Sequence, residues 1–277
     1  MDFYTSLQIR DFLTQALKED LSRGDLFSFI TQDKQVRAHI IAKQEGVFSG
    51  ELYIRELCAM SHIVLSLKTR DSQLFQTGEI LATLEGSYVA ILQIERVLLN
   101  ILSHSSGIAS YTYRFVEALR GMPITLLDTR KTRPLLRMLE KYSVRNARGC
   151  NHRFGLDDAL MLKDTHLAGI SDLGSFVVSA RKILPWTCKI EVEVENLAQA
   201  KVAFEAGVDI VMCDNMELTE IKEVANLRDR EFAHILLEAS GNLSLENIKS
   251  YALSGVNALS VGALIHQATW IDLSLKI

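Results

Sequence analysis

Little in this chain of 277 residues would staple it, anchor it or coat it with charge of one sign. Cysteine is scarce: Cys58, Cys150, Cys188 and Cys213 lie far apart with no CxxC pair, which argues against a zinc ribbon or a disulfide scaffold and fits a reducing compartment. No uncharged run approaches the roughly 20 residues a membrane helix needs, so no membrane partner is expected. The opening segment, Met1 to Asp20, interrupts its apolar residues with Asp2, Arg10, Asp11, Lys18, Glu19 and Asp20, so no secretory leader is expected and the expected location is cytoplasmic. A formal net charge of −4 offers no global attraction to nucleic acid, so any functional group of cations has to be local. Repeats and low-complexity linkers are missing as well. What is present is 48% hydrophobic, enough to bury the core of one large barrel or of a barrel with a smaller appended domain.

The chain changes rhythm twice. From Ser6 to Glu19, Leu7, Ile9, Phe12, Leu13, Ala16 and Leu17 recur at helical spacing. From Val36 to Ser87, short β-like runs (Ala38 to Ala42, Ile63 to Leu67, Ile80 to Leu84) alternate with glycines, and a helix is expected at Glu51 to Ala59. A long apolar helix over Val89 to Leu102 should break at the serines that follow and resume to about Arg120. After Gly121, six apolar runs read as strands: Ile124 to Leu127, Ala159 to Leu162, Ile190 to Val194, Ile210 to Met212, Ile235 to Leu237 and Ala258 to Val261. Helical segments such as Leu197 to Ala206 and Leu245 to Ser254 separate most of them, and these two end at Gly207 and Gly255, where left-handed caps are expected. Strand, helix, strand at this spacing means parallel βαβ units, and the polar residues that end the strands favour a barrel over an open sheet.

Those strand ends carry the chemistry. Asp128, Arg130 and Lys131, then Lys163, Glu193, Asp214, Glu238 with Ser240, and Gly262 fall where a parallel barrel builds its site. From Arg130 to Lys163 there are nine Lys or Arg against only Glu140, Asp157 and Asp158, a local anion trap in an acidic chain. Arg133, Arg137 and Lys141, spaced i, i+4, i+8, also fit one solvated helix face; Arg130, Lys131, His152, Arg153 and Lys163 do not, because they sit at strand ends or in a loop entering a strand. Guanidinium forks grip carboxylates in a bidentate way, and lysine adds a compact charge. Glu191, Glu193 and Glu195 alternate along one strand and should point into the barrel towards those cations or a sugar, with Asp214 as a neighbour. Glu238–Asn242 and Ser260–His266 place small residues after a strand and before a helix, the arrangement that binds phosphate through backbone amides.

The stretches Glu95–Ala109, Leu127–Thr132, Asn151–Ala159, Leu162–His166, Glu191–Glu195, Cys213–Met216, Glu238–Gly241 and Ser260–Leu264 resemble, in order, those of the decarboxylating quinolinate phosphoribosyltransferases. The resemblance implies an α/β architecture: a small N-terminal α/β (α+β sandwich) domain at 1–110, then an incomplete parallel α/β barrel at 111–277 whose tail packs back on the first domain. It implies a homodimer in which Arg96 serves the partner's site. By the matching motifs, Arg96, Arg130, His152, Arg153 and Lys163 would surround quinolinate, and Lys131, Glu193 and Asp214 would face phosphoribosyl diphosphate. Glu193 and Asp214 would stand near its ribose and Mg2+, and Ser240, Gly241, Asn242, Gly262 and His266 near its 5-phosphate. The implied reaction yields nicotinate mononucleotide, carbon dioxide and diphosphate, a step of NAD biosynthesis. A phosphoribosyltransferase for another aromatic acid and a noncatalytic anion-binding barrel are the alternatives. Two positions depart from the family's habit: Asn146–Gly149 stands where relatives often carry consecutive glycines, and Asn242 where a second glycine is usual. Asn tolerates left-handed backbone, and Arg148 could add a cation to the site.

Overall fold

The computed structural model describes residues 3–277, with side chains from Ser6 onward, and divides into two compact units. The first begins with α1 (Phe3–Leu21), β1 (Gln35–Ala42), β2 (Gly46–Val47), α2 (Glu51–Met60), β3 (Val64–Leu67), β4 (Leu74–Phe75) and β5 (Ile80–Ser87). Helix α3 (Tyr88–Ala118) follows and crosses the boundary between Tyr111 and Thr112. The second unit holds β6 (Thr125–Leu127), α4 (Arg137–Asn146), β7 (Leu160–Leu162), α5 (Asp164–Leu167), α6 (Leu173–Arg181), β8 (Ile190–Val194), α7 (Leu197–Glu205), β9 (Ile210–Asp214), α8 (Leu218–Glu231), β10 (Leu236–Ser240), α9 (Ile248–Ala252), β11 (Ala258–Ser260) and α10 (Ala263–His266). It ends at Gln267, and Ala268–Ile277 return to the first unit. There β12 (Leu273–Lys276) completes an antiparallel sheet ordered β12-β1-β5-β3.

The predicted break in α3 does not occur. The serines sit in the helix because they are buried and matched: Ser105 donates its hydroxyl to Ser49 Oγ at 2.7 Å, and Ser106 Oγ accepts from the Ser49 N–H at 3.1 Å. Small side chains let another segment approach closely. At Gly107 a Cβ would lie 2.1 Å from the Thr269 carbonyl oxygen, so the helix tolerates glycine here in exchange for that contact.

In the second unit the six expected strands are present and parallel, ordered β6-β11-β10-β9-β8-β7. Val192, Val194, Val211, Cys213, Leu237, Ala239 and Leu259 are buried along them, as strands covered on both faces require. Gly207 and Gly255 take left-handed backbone at φ +72° and +95°, closing their helices as expected. Beyond β6 the ladder shrinks to one parallel bridge, Leu127 to Cys150, so the barrel is incomplete on the side where residues 150–153 run. Among the described residues no helix is long and apolar enough to cross a membrane.

Candidate active site

A cavity of about 650 Å³ opens at the C-terminal ends of these strands. Ten of the residues singled out in the sequence line it: Arg130, Lys131, His152, Arg153, Lys163, Glu193, Asp214, Ser240, Gly241 and Asn242. Each reaches it because its strand or turn ends there. Glu193 stands one residue before the end of β8, Asp214 and Ser240 close β9 and β10, and Lys163 follows β7 as the cap of α5. Thr129, Met161, Met212, Asn215 and Ser260 complete the lining. Sequence reasoning passed over the two methionines because apolar residues on a strand read as core; only their position one turn of the pleat below a functional residue marks them.

Charge in the cavity is unevenly matched. Lys163 donates to Glu193 across β7 and β8. Asp214 accepts from the Asn215 amide at 2.8 Å. Among the described residues the Arg153 guanidinium hydrogen-bonds to the Ala159 carbonyl at 2.9 Å and the Met161 sulfur at 3.5 Å. Arg130 has a buried Nε with no partner, and neither it nor Lys131 reaches a carboxylate among the described residues. Burial, and then the charge of Arg130, push the Arg153 guanidinium below its ordinary value, so the two cations share one low-dielectric space. An added anion would relieve both.

His152 is held at both ring nitrogens. The Arg153 backbone N–H donates to Nδ1 at 2.7 Å, so the ring hydrogen lies on Nε2, which faces Glu191 at 3.3 Å and Glu238 at 3.6 Å. Burial drives the Glu238 carboxyl up to about 7, with the nearby Glu191 charge adding to it. For His152, burial lowers the pKa but is outweighed by the Glu191 hydrogen bond and the Glu238 and Glu191 charges, so it rises. Three ligand-type groups meet here. However, with Nδ1 taken by the backbone donor the Nε2 carries the ring hydrogen and offers a metal no lone pair in this arrangement.

Arg133, Arg137 and Lys141 do not share one solvated helix face. Arg133 precedes the helix and donates to buried Glu140 at 2.8 Å, and Arg137 donates to Thr132 Oγ1 at 3.1 Å and the Phe154 carbonyl at 2.8 Å. Lys141 is wholly buried and donates to Asp128, also wholly buried, at the end of β6. Burial lifts the Asp128 carboxyl and depresses the Lys141 amine, each opposed by the other's charge. Removing one partner of such a pair costs about 3–5 kcal/mol. Periodicity alone could not separate a solvated face from one whose last member meets a counter-charge.

Other residues singled out in the sequence lie outside the cavity lining. Glu191 and Glu193 do point inward, but β8 ends at Val194 and Glu195 is exposed beyond it. Gly262 and His266 do not line the cavity. They pack beside it against Lys131, where a Cβ on Gly262 would stand 3.0 Å from Lys131 Cδ and 3.2 Å from His266 Nε2. Arg148 is exposed, outside the lining, at φ +67°. Arg96 lies on α3, exposed, with Glu95 at 3.9 Å. Asn242 adopts φ +50° as its side chain allows, and donates to Asn215 at 3.1 Å. Gly241, at φ +95°, is irreplaceable in that turn: a Cβ would lie 2.2 Å from Asn215 Oδ1.

Comparison with known proteins gives the same outline. The family model described as quinolinate phosphoribosyl transferase, N-terminal domain, matches residues 11–106, and the corresponding C-terminal domain model matches residues 108–276. A probable nicotinate-nucleotide pyrophosphorylase (carboxylating) of Bacillus subtilis is 38% identical over 274 residues, covering 98% of this chain and 94% of that protein. The crystal structure of NadC from Streptococcus pyogenes superposes with a TM-score of 0.91 at 37% identity, covering 100% of this chain and 98% of the other. That of the nicotinate-nucleotide pyrophosphorylase from Francisella tularensis does so with 0.91 at 32% identity, over 98% and 96%. Matched along nearly its whole length by both domain models, this chain belongs to the quinolinate phosphoribosyl transferase family.

Proposed function

We infer that the chain transfers the phosphoribosyl group of phosphoribosyl diphosphate to quinolinate with loss of carbon dioxide, giving nicotinate mononucleotide and diphosphate for NAD biosynthesis. One observation carries the reading: Arg130, Lys131 and Arg153 converge on a single cavity, and among the described residues none of them forms an ion pair with a carboxylate. A dicarboxylic acid beside a sugar diphosphate supplies the missing charge. The names of the relatives support the same activity.

In this reading Arg130 and Arg153 grip the two carboxylates, Lys163 joins them, and His152 bounds the pyridine subsite. Lys131 faces the diphosphate, with Gly262 and His266 beneath it. The Ser240–Asn242 turn takes the 5-phosphate through its backbone amides. The pyridine nitrogen brings its own lone pair, so its bond to the anomeric carbon forms without a general base, while the carbon–oxygen bond breaks and its electrons leave with diphosphate. Catalysis then rests on alignment and on cations placed where negative charge collects. Once the nitrogen is alkylated, its positive charge stabilises the pair left on the ring carbon when the neighbouring carboxylate departs, and a proton completes the product.

Glu193 and Asp214 are oxygen donors at the cavity wall, a set that suits a hard cation, and they would hold Mg2+ against the diphosphate. Magnesium would supply charge neutralisation of the leaving group. We further propose a homodimer in which Arg96, exposed on its own copy, completes the acid subsite of the other, and a cytoplasmic location in keeping with four unbridged cysteines.

Quinolinate labelled at the carboxyl beside the ring nitrogen tests the assignment. Purified protein with phosphoribosyl diphosphate and Mg2+ should release one labelled carbon dioxide per nicotinate mononucleotide. Turnover of nicotinate with no release from quinolinate would replace the reading with that of a non-decarboxylating relative.

A further inference from the structure

The barrel is open where residues 150–153 run, yet this stretch delivers His152 and Arg153 to the cavity. A strand in that position would be fixed by a ladder of backbone hydrogen bonds. Here the ladder is reduced to a single bridge, with Asp128 N–H donating to the Cys150 carbonyl at 3.1 Å and Cys150 N–H to the Leu126 carbonyl at 2.8 Å. Side chains take over beyond it. One oxygen of Asp128 accepts from Lys141 and from the His152 backbone N–H at 2.9 Å. Its other oxygen accepts from the Asn151 amide at 2.6 Å. Lys141 donates again to the His152 carbonyl at 2.9 Å, and Asn151 to the Lys141 carbonyl at 2.9 Å. Both polar groups of the His152 backbone are thus held by one buried ion pair.

We propose that Asp128 and Lys141 are positioning residues for acid binding, a substitute for the missing strand that aims the Arg153 guanidinium into the cavity. Two wholly buried charges are a poor device for stability alone, because an apolar pair of similar volume is often as stable or more so. What an apolar pair cannot do is satisfy the His152 N–H and carbonyl at once and fix the direction in which the chain leaves them. A carboxylate with two lone-pair-rich oxygens and an ammonium with three hydrogens meet that need from opposite sides. Neither residue lines the cavity, and their hydrogen bonds reach it through the 151–153 backbone.

This proposal rests on the assignment of Arg153 to the acid, and the test separates the two. Lys141→Met leaves Asp128 charged and alone, which destabilises the fold whatever the role of the pair, so the informative protein is Asp128→Asn with Lys141→Met, in which both charges go together. Melting temperature, steady-state kinetics and direct calorimetric titration with quinolinate are measured on it and on the unaltered enzyme. The double variant should melt near the unaltered enzyme while KM and Kd for quinolinate rise about tenfold or more and KM for phosphoribosyl diphosphate moves less than about threefold, since misplacement of a binding group by 1 Å is enough for a large loss. A folded double variant with unchanged quinolinate affinity overturns the proposal, and so does an equal loss for both substrates. Should the double variant not fold, Asn151→Ala, which strands no charge, decides by the same split. An unaltered enzyme that does not bind quinolinate would instead sink the assignment of the substrate.

Discussion

At the scale of single residues, the site is governed by which charges have partners and which do not. Lys163, Lys141 and Arg133 are matched by Glu193, Asp128 and Glu140, whereas Arg130, Lys131 and Arg153 are left to a ligand. Glu238 faces His152 at 3.6 Å, but one of its buried oxygens lacks a hydrogen-bond partner and its carboxyl is pushed up to about 7. A carboxyl whose pKa is higher in the fold than in the unfolded chain stabilises the fold fully below the ordinary 4.5, and that contribution is lost as pH rises to about 7. His152, also raised, acts in the same direction. Glu238→Gln keeps the neutral form's shape, so its melting temperature should gain on that of the unaltered protein steadily between pH 5 and pH 8, read by calorimetry at stepped pH. Parallel curves across that range would mean that Glu238 is ionised in the fold throughout.

At the scale of elements, strands were far more legible than helix ends. The β8 run is Ile190–Val194 in the structure as in its periodicity, because alternation of apolar and acidic residues has one solution in a parallel sheet. Helix α3 was misread at its serines, since local preference for a break yielded to hydroxyls that find buried partners on Ser49. The end of α4 explains the departure at Asn146–Gly149. Gly149 is needed, because a Cβ there would lie 2.7 Å from Val144 Cγ1, but Arg148 merely occupies a left-handed position at a strain of about 1 kcal/mol. Arg148→Gly should therefore stabilise the protein by about 0.5–1 kcal/mol, seen as a higher urea midpoint with an unchanged slope. Destabilisation would show that the Arg148 side chain contributes more than its backbone costs.

At the scale of the whole molecule, two units share the labour of one chain, and the second carries the cavity. The strand-end residues that form it were readable one by one, since each polar residue interrupts an apolar run. Their pairing was not: that Lys141 turns inward to Asp128, or that the His152 Nε2 meets Glu191, depends on contacts between residues well separated in sequence. The account stands on the unpaired guanidiniums being the acid's anchor. The direct measurement is calorimetric binding of quinolinate to the unaltered protein and to Arg153→Ala. The account predicts tight binding that weakens by about tenfold to a hundredfold in the variant, the scale of a lost bidentate charge-assisted pair; equal affinity in the two proteins would contradict it.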